Sequence, residues 1–142
     1  MRNTLLTAAA LLAACLLTAC GPDNEDVREI IVNQRLGAAL SQDEYATIIA
    51  YTKKATKAEI SLAKKQIDAA DQNDCNKVLN LRSDFDKDFP YIGAVRRMLP
   101  GKSRLNDKNV RSLQELENMA EDNQELYKDW ATAINKLDCN TK

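Results

Sequence analysis

The widest chemical repertoire in this 142-residue chain belongs to four cysteines, Cys15, Cys20, Cys75 and Cys139, and to an alternating acidic run, Asp84-Phe85-Asp86-Lys87-Asp88. A cysteine can be a nucleophile, a metal ligand, an acyl acceptor or half of a disulfide. The acidic run has the D-x-D-x-D opening of a calcium loop, in which alternate carboxylates converge on one hard cation. The likeness ends there. Phe89 occupies the position where such a loop turns on glycine, and Val95 stands where a bidentate glutamate closes it. The run therefore reads as the solvated acidic end of a helix with Phe85 and Phe89 turned inward, and no metal is expected. Histidine is absent and no CxxC pair occurs. That removes the base of the common serine and thiol triads and the usual zinc and haem ligand sets. Carboxylates are plentiful, but no motif pairs them. Neither enzymatic chemistry nor a cofactor is expected.

Cys20 closes the tetrapeptide Leu17-Thr18-Ala19-Cys20, an aliphatic residue and two small ones before a cysteine. It follows Met1-Arg2-Asn3, with one positive side chain, and an uncharged stretch, Thr4 to Ala19, made mostly of Leu and Ala. The stretch suits a signal peptide and is shorter than the ~20 apolar residues of a spanning helix. The segment resembles the leader and lipobox of bacterial lipoproteins. That resemblance implies diacylglycerol on the Cys20 sulfur, cleavage before Cys20 by signal peptidase II, and acylation of the new amino group, as with palmitate. Leu12-Ala13-Ala14-Cys15 fits the same pattern. Cleavage there would leave Leu16-Leu17 on the mature protein, whereas after Cys20 hydrophobicity stops at Gly21-Pro22-Asp23-Asn24-Glu25-Asp26. Cys20 is the expected anchor, and Cys15 leaves with the leader. Two or three acyl chains meet the two-signal requirement for stable anchoring. In Gram-negative bacteria of the enteric type an aspartate after the acylated cysteine retains a lipoprotein in the inner membrane. Gly21 stands there instead, which implies the outer membrane, facing the periplasm.

The resemblance also sets the redox compartment. In an oxidising periplasm the two cysteines left after processing, Cys75 and Cys139, read as one disulfide. Closing so long a loop contributes on the order of 4 kcal/mol in the chain-entropy treatment. The formal net charge is −1, and the leader carries Arg2 and no acid. A nearly neutral chain offers no reason to invoke nucleic acid or a polybasic membrane patch.

Three prolines and four glycines punctuate a chain that otherwise reads as helix. Asp23 caps a short helix with Val27, Ile30, Ile31 and Leu36 on its apolar face, and Gly37 lies near its end. Ser41-Gln42-Asp43-Glu44 is a capping box. Behind it Tyr45, Ile48, Ile49, Thr52, Ala55, Ala63, Ile67 and Ala70 recur at helical steps, and that helix stops between Asp71 and Asp74. A third helix starts near Asp74, uses Val78, Leu81, Phe85 and Phe89, and is broken or kinked by Pro90. Tyr91, Ile92, Val95, Met98 and Leu99 continue an apolar pattern up to Pro100-Gly101. Asn106 or Asp107 caps the last helix, whose stripe runs through Leu116, Met119, Ala120, Asn123, Leu126, Tyr127, Trp130, Ala133, Ile134 and Leu137. From Val110 to Leu137 it would span roughly 42 Å. Asn123 reads as a register-setting polar residue on that stripe and Trp130 as a core anchor.

The expected architecture is all-α: an antiparallel bundle of three long helices plus a short N-terminal helix, tied by one disulfide. In an up-down-up arrangement Cys75 and Cys139 meet at the top, and Cys20 falls near the same end. The expected organisation is a leader over 1–19, a lipidated N-terminus, tether and short helix over 20–40, and the bundle over 41–142.

Apolar and arginine-rich surface is what protein-binding hot spots use. The segment around Phe89-Pro90-Tyr91-Ile92-Gly93 and Met98-Leu99-Pro100-Gly101 has that composition, with Arg96, Arg97, Lys102, Arg104, Lys108 and Arg111 near it. Tyr91, Ile92, Arg96, Arg97, Met98, Lys102 and Arg104 are the candidate partner-binding residues. The same residues also suit a bland reading, in which Ile92, Val95 and Leu99 close the core and the basic side chains are solvated. A second charged face, Glu115, Glu117, Glu121, Asp122, Glu125 and Asp129, can pair internally or meet a basic partner. The function expected is that of an envelope lipoprotein working by protein binding: an immunity, exclusion or inhibitor factor facing an envelope or incoming protein. The alternative is a structural accessory subunit of an envelope secretion or assembly complex.

Overall fold

The computed structural model describes residues 21–139. Cys20 and the leader lie outside them. Among the described residues the elements are six α-helices and one 3-10 turn, with no strand. α1 (Asn24–Arg35) starts on a capping box in which Asp23 accepts from the Asp26 N–H and Asp26 accepts from the Asp23 N–H. It ends where Gly37, at φ 88°, lets the Gly37 and Ala38 amides reach back to the carbonyls of Gln34 and Asn33.

α2 (Gln42–Asp71) is the long element, 30 residues behind the Ser41/Glu44 capping box. Asn73, at φ 53°, closes it by the same device, with the Asn73 and Asp74 amides donating to Ala70 and Ala69. Asp74 immediately caps α3 (Cys75–Asp88), accepting from the Lys77 N–H at 3.1 Å. The chain thus reverses within three residues because asparagine tolerates the left-handed region and aspartate caps well. Pro90 follows the end of α3, and α4 (Ile92–Met98) buries Val95 completely. A 3-10 turn (Lys102–Arg104) leads to α5 (Asp107–Asp122), capped by Asn106, and then to α6 (Gln124–Lys136).

α2 is the hub on which α1, α3, α4, α5 and α6 all pack. Cross-contacts give the directions. Gln66 of α2 meets Val78 of α3, while Tyr51 meets Phe89 beyond its end, so α3 runs back along α2. On the other flank Gln42 meets Asn109, Lys53 pairs with Glu115, and Gln66 meets Trp130, so α5 and α6 run with α2. The main core joins Val27, Ile30 and Ile31 of α1 to Ile48, Tyr51, Ala55 and Leu62 of α2, with Phe85, Phe89 and Val95. Each of the large aliphatic and phenylalanine side chains among them contributes roughly 1.5–3 kcal/mol on burial. A smaller cluster sets Ile49 against Leu113 and Leu116. α1 is thereby part of the same core as the bundle, and no free tether separates it from Gly21. The Cys75–Cys139 disulfide joins the start of α3 to the segment that follows α6, with Cα atoms 5.7 Å apart.

The last helix differs from expectation. It is broken at Asn123, at φ −113° and ψ 16°, where the side-chain amide donates to the Met119 carbonyl at 2.7 Å. Asparagine competes with the backbone ladder for its own carbonyls, so this residue divides the limb instead of setting its register. Of the three long helices expected, only α2 keeps that length. α6 also buries no side chain fully. Its stripe, Leu126, Tyr127, Trp130, Ala133 and Ile134, rests on α2 and is half-buried along its length.

Candidate partner-binding groove

α3 and α6 both pack on α2 but make no substantial contact with each other along their length. The gap between them is a groove floored by α2. Near the disulfide end it holds about 220 Å³ over Glu59, Leu62, Ala63 and Gln66, walled by Arg82 on one side and Tyr127 and Trp130 on the other. It continues as a wider hollow of about 500 Å³ over Thr52, Thr56 and Glu59, between Arg96, Leu99 and Pro100 and the α5 residues Leu113, Leu116 and Glu117. Glu59 and Tyr127 line both parts. From Thr52 to Gln66 the floor runs roughly 21 Å along α2.

Polar bonds hold the floor rigid. The Trp130 indole N–H donates to Gln66 Oε1 at 2.8 Å, and Gln66 Nε2 donates to the Val78 carbonyl at 3.0 Å. One glutamine thus connects α6, α2 and α3. The Thr52 hydroxyl donates to the Ile48 carbonyl at 2.7 Å, which satisfies a buried donor inside its own helix. Midway, Arg96 makes a two-pronged contact with Glu59, at 3.2 Å to each oxygen, and reaches the Thr56 hydroxyl. Fork geometry fixes that guanidinium plane. Burial pushes the Tyr127 phenol upward, Glu59 reinforces this, and Arg96 opposes it. Tyr127 is therefore a neutral donor at physiological pH, and its hydroxyl has no hydrogen-bond partner among the described residues. Trp, Tyr and Arg are the residue types that dominate protein-binding hot spots, and here one tryptophan, one tyrosine and two arginines share a groove.

A polar latch closes the lower end. Asn109, only 2% exposed, donates from Nδ2 to the Gln42 backbone carbonyl and to Gln42 Oε1, while Gln42 donates to the Arg104 carbonyl at 2.9 Å. Every buried side-chain donor and acceptor among the described residues has a partner.

The candidate residues read from sequence divide. Tyr91, Ile92 and Met98 are half-buried and pack against the main core. Arg96 lies in the groove on Glu59. Lys102 spans to α5, donating to Gln114 and pairing with Glu117 at 3.2 Å. Arg97 and Arg104 are exposed. Only Arg96 of the seven lines the groove. Glu115, from the acidic face, pairs with Lys53, which holds its carboxyl below the usual glutamate range with lesser help from Arg111 and Lys57. Asp86 pairs with Arg82 at 3.1 Å, and among the described residues no acidic or cysteine cluster is placed to hold a metal ion. Cys20 lies outside the described residues.

Sequence reasoning missed Arg82, Gln66 and the open side of Tyr127 and Trp130. The apolar stripe of α6 was visible, but a stripe shows which face is apolar and not whether a third helix covers it.

No protein-family model matches the chain, and no curated protein or solved structure matches it either.

Proposed function

We propose that this is a lipid-anchored protein of the bacterial envelope that works by binding another protein, in a protective role of the immunity, exclusion or inhibitor kind. In this reading α2, α3 and the α5–α6 limb form an antiparallel bundle left open on one side. The partner is a protein segment with an apolar face, such as an amphipathic helix, whose side chains enter between α3 and α6. Helix-in-groove recognition uses such a slot. The observation that carries the reading is the convergence of Trp130, Tyr127, Arg82 and Arg96 on one rigid, partly apolar groove. Cys20 acylation holds the protein at the outer membrane, and the periplasm is where the partner arrives.

The test is genetic and structural together. Deleting the gene sensitises cells to a toxin or phage component delivered by neighbours, and the wild-type gene restores protection. Trp130→Ala and Tyr127→Ala fold, keep the Cys75–Cys139 bond and fail to protect, with partner affinity reduced about 30-fold or more for a hot-spot side chain. A deletion strain with unchanged susceptibility defeats the protective role. Full protection by both variants moves the binding surface away from the groove. Co-purification of several envelope proteins instead points to an accessory subunit of an envelope machine.

A further inference from the structure

The near-neutral total charge conceals a segregated face. α2 carries Lys53, Lys54, Lys57, Lys64 and Lys65 within thirteen positions of one another, with Glu59 turned to the groove. At about 100° per residue, Lys54, Lys57, Lys64 and Lys65 fall within roughly 100° of arc on the side of α2 opposite Thr52, Thr56, Glu59 and Gln66. Lys57, Lys64 and Lys65 are exposed and Lys54 is half-exposed, and none of the four pairs with a carboxylate among the described residues. Lys53, at the edge, is taken by Glu115. Acids border the face without pairing to it: Asp68 follows it on α2, Glu115 is close enough to Lys57 to be held down by it, and Asp26 and Glu29 of α1 line a shallow hollow with Thr47 and Ala50 of α2.

Gly21 lies against this face. A Cβ placed on it would be 3.1 Å from Lys54 Cδ. Only Pro22 and Asp23 separate Gly21 from α1, and α1 is sealed into the core by Val27, Ile30 and Ile31. A residue bonded to Gly21 is limited to one peptide's reach, about 3.8 Å between Cα atoms. In the lipid-anchor reading, an acyl chain one residue before Gly21 therefore starts beside the lysines. Gly21 itself lies beside Lys54, midway along α2 and away from the disulfide end.

We propose that the lysine face of α2 rests on an anionic membrane surface, with Lys54, Lys57, Lys64 and Lys65 against lipid phosphates and the groove directed away into the periplasm. This rests on the lipid-anchor reading above. Anchor and charge cooperate: the acyl chains bring the face within a Debye length of the headgroups, where each lysine contributes about five-fold to surface affinity.

The experiment uses the mature protein purified from membranes, with Cys20 acylation read by intact mass. It is reconstituted into vesicles of neutral phosphatidylcholine or of phosphatidylcholine with phosphatidylglycerol, and amines are labelled from the water phase. In phosphatidylglycerol vesicles Lys54, Lys57, Lys64 and Lys65 label about five-fold more slowly or less, while Lys102, beside the groove, does not change. High salt removes the protection. In the exposed-residue variant Lys57→Gln/Lys64→Gln/Lys65→Gln, expected to fold normally, Lys54 loses its dependence on phosphatidylglycerol. An acylated protein whose four lysines label alike in both vesicles overturns the orientation and leaves the anchor standing. Absence of acyl mass on Cys20 overturns both.

Discussion

The indole N–H of Trp130 lies 2.8 Å from Oε1 of Gln66, across 64 residues of sequence, and the same glutamine passes a bond to Val78. A half-open groove would be a soft place in a small bundle, because its walls do not support each other. Gln66 supplies the missing cross-tie from the floor. It keeps Trp130 in one orientation, and a pre-ordered aromatic costs less entropy to engage than a mobile one.

Gln66→Ala removes both bonds. The Trp130 N–H loses its partner and the Val78 carbonyl is left with its in-helix bond alone, at a cost of about 1–3 kcal/mol. Urea unfolding reads the loss. Emission of Trp130, the single tryptophan, should also shift red as the ring loosens toward water. Unchanged stability and emission would show that the cross-tie does not order the groove.

Cys75→Ser/Cys139→Ser opens a loop with a sequence separation of 64. The chain-entropy treatment gives a loss of up to about 4 kcal/mol, visible as a lower Tm in the oxidised protein and no difference after reduction. The upper part of the groove should loosen first, because the bond ties its two walls at that end.

Tyr51, 1% exposed, donates to Asn24 Oδ1 at 2.8 Å and sets its ring edge-on to Phe89. Tyr51→Phe keeps the ring and loses the bond to α1, costing about 1 kcal/mol. Burial raises the Tyr51 value above the ordinary phenol range. A raised folded value means a contribution fully present below the unfolded value and lost as pH climbs through the folded one. Tyr51→Phe should therefore unfold less readily in alkali than its stability at neutral pH implies, as followed by circular dichroism against pH.

Glu115 is held below the usual glutamate range by Lys53. Its contribution is present above the unfolded value and disappears as pH falls through the folded one. Wild type and Glu115→Gln should differ slightly at neutral pH and low salt, and converge in acid or in high salt, since the pair is exposed and screened. Denaturant midpoints at the two pH values decide it. A difference that persists in acid would mean that Glu115 acts through packing.

Much of the fold was readable because its signals are local. Ser41 and Glu44 bond within one turn, Asp74 and Asn106 cap where sequence places them, and Pro90 follows the end of a helix. Asn123 was misread because a polar residue on an apolar stripe looks the same whether it sets register or breaks the ladder. The difference lies in whether its amide takes the Met119 carbonyl. Tyr91, Ile92 and Met98 suit a binding surface or core closure equally in sequence, and their half-burial against the main core is visible only once α4 is packed on α2. Arg82 gave no signal, since the residue it faces across the groove, Trp130, is 48 positions away.

By itself the sequence determined that the described chain is helical, where α1, α2, α3 and α5 start, and that two distant cysteines could be joined, because capping, periodicity and thiol chemistry act over a few residues or by residue type alone. Only the tertiary structure decided which apolar faces are covered. α1 enters the core, α6 remains half open, and the lysines of α2 gather opposite the groove. Those outcomes depend on which helices lie side by side, and side-by-side placement is a property of packed geometry that no single helix encodes.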